Sequence, residues 1–170
     1  MPCYSPLKGF RSRTTNPVTG KRSIVFRPDQ GFEDLPVDLP CGQCLGCRLD
    51  YSKQWAIRCV HEAQLHYDNC FLTLTFDDEH LPVTGEISKR DMQLFLKKLR
   101  KKYPRKENDS IRYFLSGEYG ELKERPHYHV LLFNMDSKDK QLHGFNKQGR
   151  PLYTSEELKI LWPYGAHWIG

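Results

Sequence analysis

In the run Arg125-Pro126-His127-Tyr128-His129-Val130-Leu131-Leu132-Phe133, two histidines one residue apart lead into an apolar stretch. As a β-strand, with its side-chain period of two, this run projects both imidazoles from one face, where they can converge on a single cation, and turns Tyr128 to the other face. A bare His-x-His is more often just the half-exposed start of a strand, so its neighbours decide its meaning. Upstream, Arg112-Tyr113-Phe114-Leu115-Ser116 has the pattern of a second strand, followed by Gly117-Glu118-Tyr119-Gly120 and a polar turn through Glu124. Antiparallel pairing across that turn would bring Glu118 beside the histidines. Two imidazoles and a carboxylate make an open three-ligand site, with positions left for water or a phosphate oxygen.

A chain of 170 residues sets the expectation of one domain with a real core and a small appendage. The net charge of +5, a pI near 8.9 and 12% aromatic residues suit a protein that touches polyanions, although dispersed Lys and Arg would serve solubility equally well. No apolar run approaches the roughly 20 residues that span a bilayer, and Met1-Pro2-Cys3-Tyr4 does not open like a secretory signal. The expectation is a soluble cytoplasmic protein with no membrane partner.

In a reducing compartment, six cysteines are better taken as thiols or metal ligands than as a disulfide framework. Three of them form Cys41-Gly42-Gln43-Cys44-Leu45-Gly46-Cys47, a doubled Cys-x-x-Cys whose glycines let the backbone fold tightly round one ion. Tetrahedral closure needs a fourth ligand. Cys3 is the natural candidate, ahead of Cys59, which falls within an apparent helix. Zinc in a structural role is expected ahead of an iron–sulfur cluster, which the same thiols would also accept. The bland alternative is a set of inert thiols at the start of a helix.

Residues 1–40 are rich in Pro, Gly, Arg and Thr, with Ser23 to Phe26 as the one strand-like run, which indicates an irregular arm. The expected division is 1–47 for the arm and cysteine-rich segment and 48–170 for the main domain. Leu49 to Leu65 repeats Trp55, Ala56, Cys59, Val60 and Ala63 on one helical face that should pack on a sheet. Cys70 to Phe76 alternates as a half-buried strand. Ser88-Lys89-Arg90-Asp91 has the pattern of a capping box, opening a helix with Met92, Phe95, Leu96, Leu99 and Tyr103 on one side and Pro104 as its stop. Its remainder carries Lys97, Lys98, Arg100, Lys101 and Lys102, continued by Arg105 and Lys106. That surface is either an ordinary solvated face or a contact for phosphates, and its location relative to the histidines decides which. Met135 to Tyr153 has the composition of a mobile loop, Thr154 to Leu161 that of a short helix, and Ala166 to Ile169 that of a strand. The order of elements describes an α+β domain, an antiparallel sheet with helices on one face.

In this order, Phe71-Leu72-Thr73-Leu74-Thr75-Phe76, Ser116-Gly117-Glu118-Tyr119-Gly120 and Arg125-Pro126-His127-Tyr128-His129 resemble the first motifs of the HUH endonucleases that initiate rolling-circle replication. The likeness is greatest to the replication initiators of small single-stranded DNA phages of the gokushovirus group. It covers roughly Cys41 to Phe133 well and the remainder loosely. The resemblance implies a ferredoxin-like, split βαβ sheet in which His127 and His129 hold Mg²⁺ or Mn²⁺, with Glu118 as the candidate third ligand. It implies that a tyrosine hydroxyl attacks the scissile phosphate of single-stranded DNA at a replication origin, leaving a 5′-phosphotyrosyl enzyme and a free 3′-hydroxyl. Origin DNA and host replication proteins in the bacterial cytoplasm are the implied partners, and the basic residues from Lys97 to Lys106 form a candidate track for the strand.

One part of that pattern is missing. The family's nucleophilic tyrosine lies on a helix after the histidine motif, with a lysine one turn later. Tyr153 and Tyr164, the tyrosines that follow His129, lack such a lysine. No nucleophile is assigned, and the chain is expected to end before the tyrosine motif. The alternative expectation is a non-catalytic, zinc-containing nucleic-acid-binding module or an inactive, truncated remnant.

Overall fold

The computed structural model describes residues 3–104, 109–121 and 123–170. The chain divides into two compact units, Met1–Arg58 and Cys59–Gly170. In the first, β1 (Leu7–Ser12) lies between β2 (Ile24–Val25) and β3 (Gly31–Leu39) in an antiparallel sheet. This corrects the expectation of an irregular arm over residues 1–40. The strands escape sequence analysis because they bury almost nothing: among the described residues, every buried hydrophobic side chain lies at Cys70 or beyond. Without a buried face there is no alternation to detect. Gly31 is placed by a close approach, since a Cβ there would sit 2.4 Å from Cβ of Phe10.

The first helix, α1 (Leu45–Gln64), starts four residues before the expected Leu49 and runs across the boundary between the units. Its apolar stripe is only partly buried. Gly46 is its one buried residue, Trp55, Cys59 and Ala63 are half-buried, and Val60 is exposed.

The second unit is built on a six-stranded antiparallel sheet. Its strands are β4 (Asn69–Thr75), β5 (Arg112–Tyr119), β6 (Pro126–Phe133), β7 (Gln141–Phe145), β8 (Pro151–Thr154) and β9 (His167–Ile169), in the order β5-β6-β4-β9-β8-β7. Alternation sorts β4 and β6 into two faces. Cys70, Leu72 and Leu74 join Tyr128, Val130 and Leu132 on a fully buried side. Phe71, Thr73 and Thr75 share the opposite side with His127, His129 and Leu131.

Helices α2 (Lys89–Lys102) and α3 (Glu156–Leu161) cover the buried side, contributing Met92, Phe95, Leu96, Leu99, Leu158 and Leu161 to one core. This is the expected α+β architecture of an antiparallel sheet with helices on one face. The Ser88 hydroxyl caps α2 by accepting from the Asp91 amide at 3.3 Å, as the capping pattern predicts. Trp162, with no exposed surface, packs against Phe76, Phe95, Tyr128 and Tyr164, and its indole N–H donates to the Thr75 carbonyl at 2.8 Å.

The expected mobile loop over Met135 to Tyr153 is instead largely a hairpin of β7 and β8. Its turn is held by the Asn146 side chain, which accepts from the amides of Gln148 and Arg150, both at 2.9 Å, while Gly149 takes φ +74°. Strand β7, at the sheet's edge, is almost wholly exposed and β8 only half-buried, so their composition is that of a loop. No helix among the described residues is long and apolar enough to cross a membrane.

Candidate metal centre

Strands β5 and β6 pair from Arg112↔Phe133 to Tyr119↔Pro126, which sets Glu118 directly across from His127 and Ser116 across from His129. The turn between them closes through Gly120 N–H to the Arg125 carbonyl at 3.0 Å and Glu124 N–H to the Gly120 carbonyl at 2.9 Å. Strand β5 runs through Glu118 to Tyr119, beyond the Ser116 at which the sequence pattern ends it. Directly opposed residues of an antiparallel pair hold their Cβ atoms about 5 Å apart. One ligand atom from each of Glu118, His127 and His129 accordingly falls within 4.8 Å of the others.

Second partners orient both imidazoles. Nδ1 of His129 lies 3.1 Å from the Thr73 hydroxyl, and its Nε2 lies 3.8 Å from Oε2 of Glu118. Nδ1 of His127 lies 3.3 Å from the Arg125 carbonyl, which can only accept. Each ring thus has a protein partner at Nδ1 and leaves Nε2 available as a ligand; the Arg125 carbonyl fixes the tautomer of His127, and the Thr73 hydroxyl, which can donate or accept, holds the angle of His129. The Ser116 hydroxyl donates to the other Glu118 oxygen at 3.4 Å. Phe71 stacks on His129, ring centres 5.3 Å apart and planes 19° from parallel. Burial lowers the pKa of His129 below the ordinary histidine value; the Glu118 charge opposes this and His127 adds to it. A neutral imidazole is the form that ligates.

The donor set fits a divalent ion. Two imidazole nitrogens and one carboxylate on one open face suit Mn²⁺ or another first-row ion and also accept Mg²⁺, whereas a site for a soft ion would use sulfur.

The four cysteines singled out by spacing also come together. In the first unit, the Sγ atoms of Cys3, Cys41, Cys44 and Cys47 all lie within 4.8 Å of one another. Cys59, the weaker candidate for the fourth position, is not among them.

The basic residues of α2 do not join the histidines. Because Met92, Phe95, Leu96 and Leu99 bury the helix against the Tyr128 side of the sheet, Lys97, Lys98, Arg100, Lys101 and Lys102 belong to the layer on the opposite side from His127 and His129. Arg100 donates to the Ile111 carbonyl at 3.0 Å and Lys102 pairs with Glu157 at 3.2 Å. Arg105 and Lys106 lie outside the described residues.

Neither downstream tyrosine faces the histidines. Tyr153 pairs with buried Ile169, and Tyr164 packs on Phe76 and Trp162. His167 is buried in β9, where its Nε2 accepts from the Ser155 amide at 3.0 Å, a structural role. Thr73, Ser116 and Phe71 are the participants that sequence reasoning missed as parts of the site. Alternation alone places Thr73 and Phe71 on one face of β4, but their contact with His129 depends on a register that joins positions far apart in the chain.

The chain is 38% identical over 169 residues to the replication-associated protein VP4 of Bdellovibrio phage phiMH2K, covering 97% of this chain and 51% of that protein. It is 36% identical over 179 residues to the replication-associated protein ORF2 of Spiroplasma virus 4, covering 100% and 56% respectively. Against the replication-associated protein ORF4 of Chlamydia phage 1 the identity is 33% over 131 residues, covering 75% and 33%. The chain thus spans about half the length of the first two relatives. No solved structure matches it. The family model for replication-associated protein ORF2/G2P matches residues 69–170, from the first residue of β4 through α2, the strands β5 and β6 that carry Glu118, His127 and His129, and β9. With more than half of its length in that match, the chain belongs to the replication-associated protein ORF2/G2P family.

Proposed function

We propose that this chain carries the metal-binding part of a rolling-circle replication initiator of the HUH type, acting on single-stranded DNA at a replication origin. The observation that carries this reading is the convergence of Glu118, His127 and His129 within 4.8 Å on the side of the sheet away from the core. Nε2 of each histidine and one oxygen of Glu118 would hold Mg²⁺ or Mn²⁺. The ion, when bound, would polarise the scissile phosphate and offset charge developing on its oxygens.

The protein's own residues do the positioning. Thr73 and the Arg125 carbonyl fix the two rings, and Ser116 holds the carboxylate from behind. In an initiator of this type a tyrosine hydroxyl attacks the scissile phosphate in line and forms the phosphotyrosyl bond, releasing the 3′-hydroxyl as a primer. No tyrosine among the described residues is assigned that role. The protein would work in the cytoplasm of the bacterial host, on origin DNA and alongside host replication proteins.

The test is Mn²⁺ titration of the chain in the presence and absence of an origin-derived single-stranded oligonucleotide. Wild-type protein should bind Mn²⁺, and binding the ion should tighten its grip on the oligonucleotide; the double variant His127→Ala, His129→Ala should lose both effects. Unchanged, Mn²⁺-indifferent DNA affinity in that variant would favour the second reading, a non-catalytic nucleic-acid-binding module organised by the four cysteines that converge in the first unit.

A further inference from the structure

We infer that Cys3, Cys41, Cys44 and Cys47 bind a single zinc ion as a mononuclear tetrathiolate, and that this ion holds the first unit folded.

The sulfur geometry determines how many metal atoms fit. Sγ of Cys44 lies 3.9 Å from Sγ of Cys3, and Sγ of Cys41 lies 4.0 Å from Sγ of Cys47. A tetrahedron with Zn–S bonds of about 2.3 Å has edges of about 3.8 Å. In an iron–sulfur cluster, thiolates on different irons stand further apart, separated by bridging sulfides. Four sulfurs all within 4.8 Å of one another leave room for one atom.

Backbone amides already point at the sulfurs. Cys41 N–H lies 3.3 Å from Sγ of Cys3, Cys44 N–H 3.4 Å from Sγ of Cys41, and the amides of Cys47 and Tyr4 each 3.5 Å from Sγ of Cys44. Such donors compensate negative charge on thiolates, and neutral thiols, which are weak acceptors, have little need of them. Gly42, at φ +76°, supplies the turn inside the first Cys-x-x-Cys. The cluster also sits at the start of α1, where the helix dipole favours the net negative charge of a tetrathiolate.

The position of the cluster explains what the ion does. Pairing of Leu7 with Leu39 places Cys3, just before β1, close to Cys41, just after β3. The ion would therefore clamp the start of β1 and the end of β3, which lie at the same end of the ladder, to the first turn of α1. Because none of the buried hydrophobic side chains among the described residues belongs to this unit, burial alone gives it little to fold around. Small units of this kind are commonly held by a metal. Binding displaces the four thiol protons to solvent and involves no electron transfer.

Elemental analysis of the full chain, purified without chelator, should give one zinc per chain, and replacement by Co²⁺ should give the visible spectrum of a tetrahedral tetrathiolate. The His127→Ala, His129→Ala variant should retain its zinc, which separates this site from the proposed catalytic ion. Cys59→Ser should retain it too, and Cys41→Ser should lose it. Should Cys41→Ser fail to fold, stripping zinc from wild-type protein with a chelator supplies the second measurement: amide hydrogens of β1 and β3 should lose protection while those of β4 and β6 keep theirs. Absence of stoichiometric zinc, iron in its place, sulfide in the preparation, or unchanged protection in β1 and β3 after stripping would each overturn the inference.

Discussion

The hydroxyl of Thr73 on β4 lies 3.1 Å from Nδ1 of His129 on β6, and the two residues are direct partners in the antiparallel register. This contact leaves Nε2 of His129 directed at Glu118. Replacing Thr73 by Val keeps the β-branched shape and removes the hydroxyl, so the ring loses the partner that holds its angle while the strand stays intact. Loss of such a supporting partner typically costs 10- to 100-fold in metal affinity. A weakening of Mn²⁺ binding on that order is expected for Thr73→Val, with recovery in Thr73→Ser; equal affinity in all three proteins would show that Thr73 does not position the ring.

Gly165 brings a loop against the end of β4. A Cβ at this position would lie 2.5 Å from the Thr75 carbonyl oxygen and 2.6 Å from the Asp77 nitrogen, backbone atoms that lie beside the hydrogen bonds to the Ala166 and Tyr164 carbonyls. Neither side can yield as a flexible side chain would. Gly165→Ala should cost at least the roughly 1–3 kcal/mol typical of overpacking, read as a lower denaturant midpoint. It should also weaken Mn²⁺ binding, because Thr75 pairs with His127 in the register.

His167 gives stability a dependence on pH. Burial lowers its pKa below the ordinary value, and its Nε2 lone pair accepts the Ser155 amide, a bond that protonation would remove. Below about pH 6.5 the unfolded chain takes up a proton that the folded chain resists, so stability falls as pH drops from there toward the folded-state pKa and then levels off. His129 shifts in the same direction and adds to the slope. Urea midpoints should fall between about pH 7.5 and 5.5 in wild type and fall less in His167→Gln. An equal fall in both proteins would assign the dependence to other groups.

Local pattern carried much of the candidate site. A period of two and a short turn suffice to put His127, His129 and Glu118 on one face, because the three residues lie on neighbouring strands of one hairpin. The grouping of Cys3 with the other cysteines was also legible, since tetrahedral closure needs a fourth thiol and Cys59 reads as helix. What stayed hidden depends on distant pairings. Thr73 meets His129 only through a strand partnership spanning 56 residues. Strands β1, β3 and β7 are exposed for much of their length and β8 is only half-buried, so no clear alternation betrays them. The apolar stripe of α2 identifies which side of the helix is buried, but not which face of the sheet receives it.

That last point changes what the basic helix can do. Lys97, Lys98 and Lys101 are on a layer separated from His127 and His129 by the sheet, so they cannot grip the phosphate that the proposed ion would polarise. In binding DNA they would instead hold a strand that continues around the domain. Neutralising all three to Ala should then leave the affinity for an oligonucleotide just long enough to cover the histidine face unchanged. For a strand several times longer, affinity should fall and the salt dependence should flatten by up to about 0.7 in log–log slope for each phosphate that is no longer neutralised. If both lengths lose affinity equally, the helix acts as a general electrostatic attractor, and if neither does, its charge is a solvated face with no part in binding DNA.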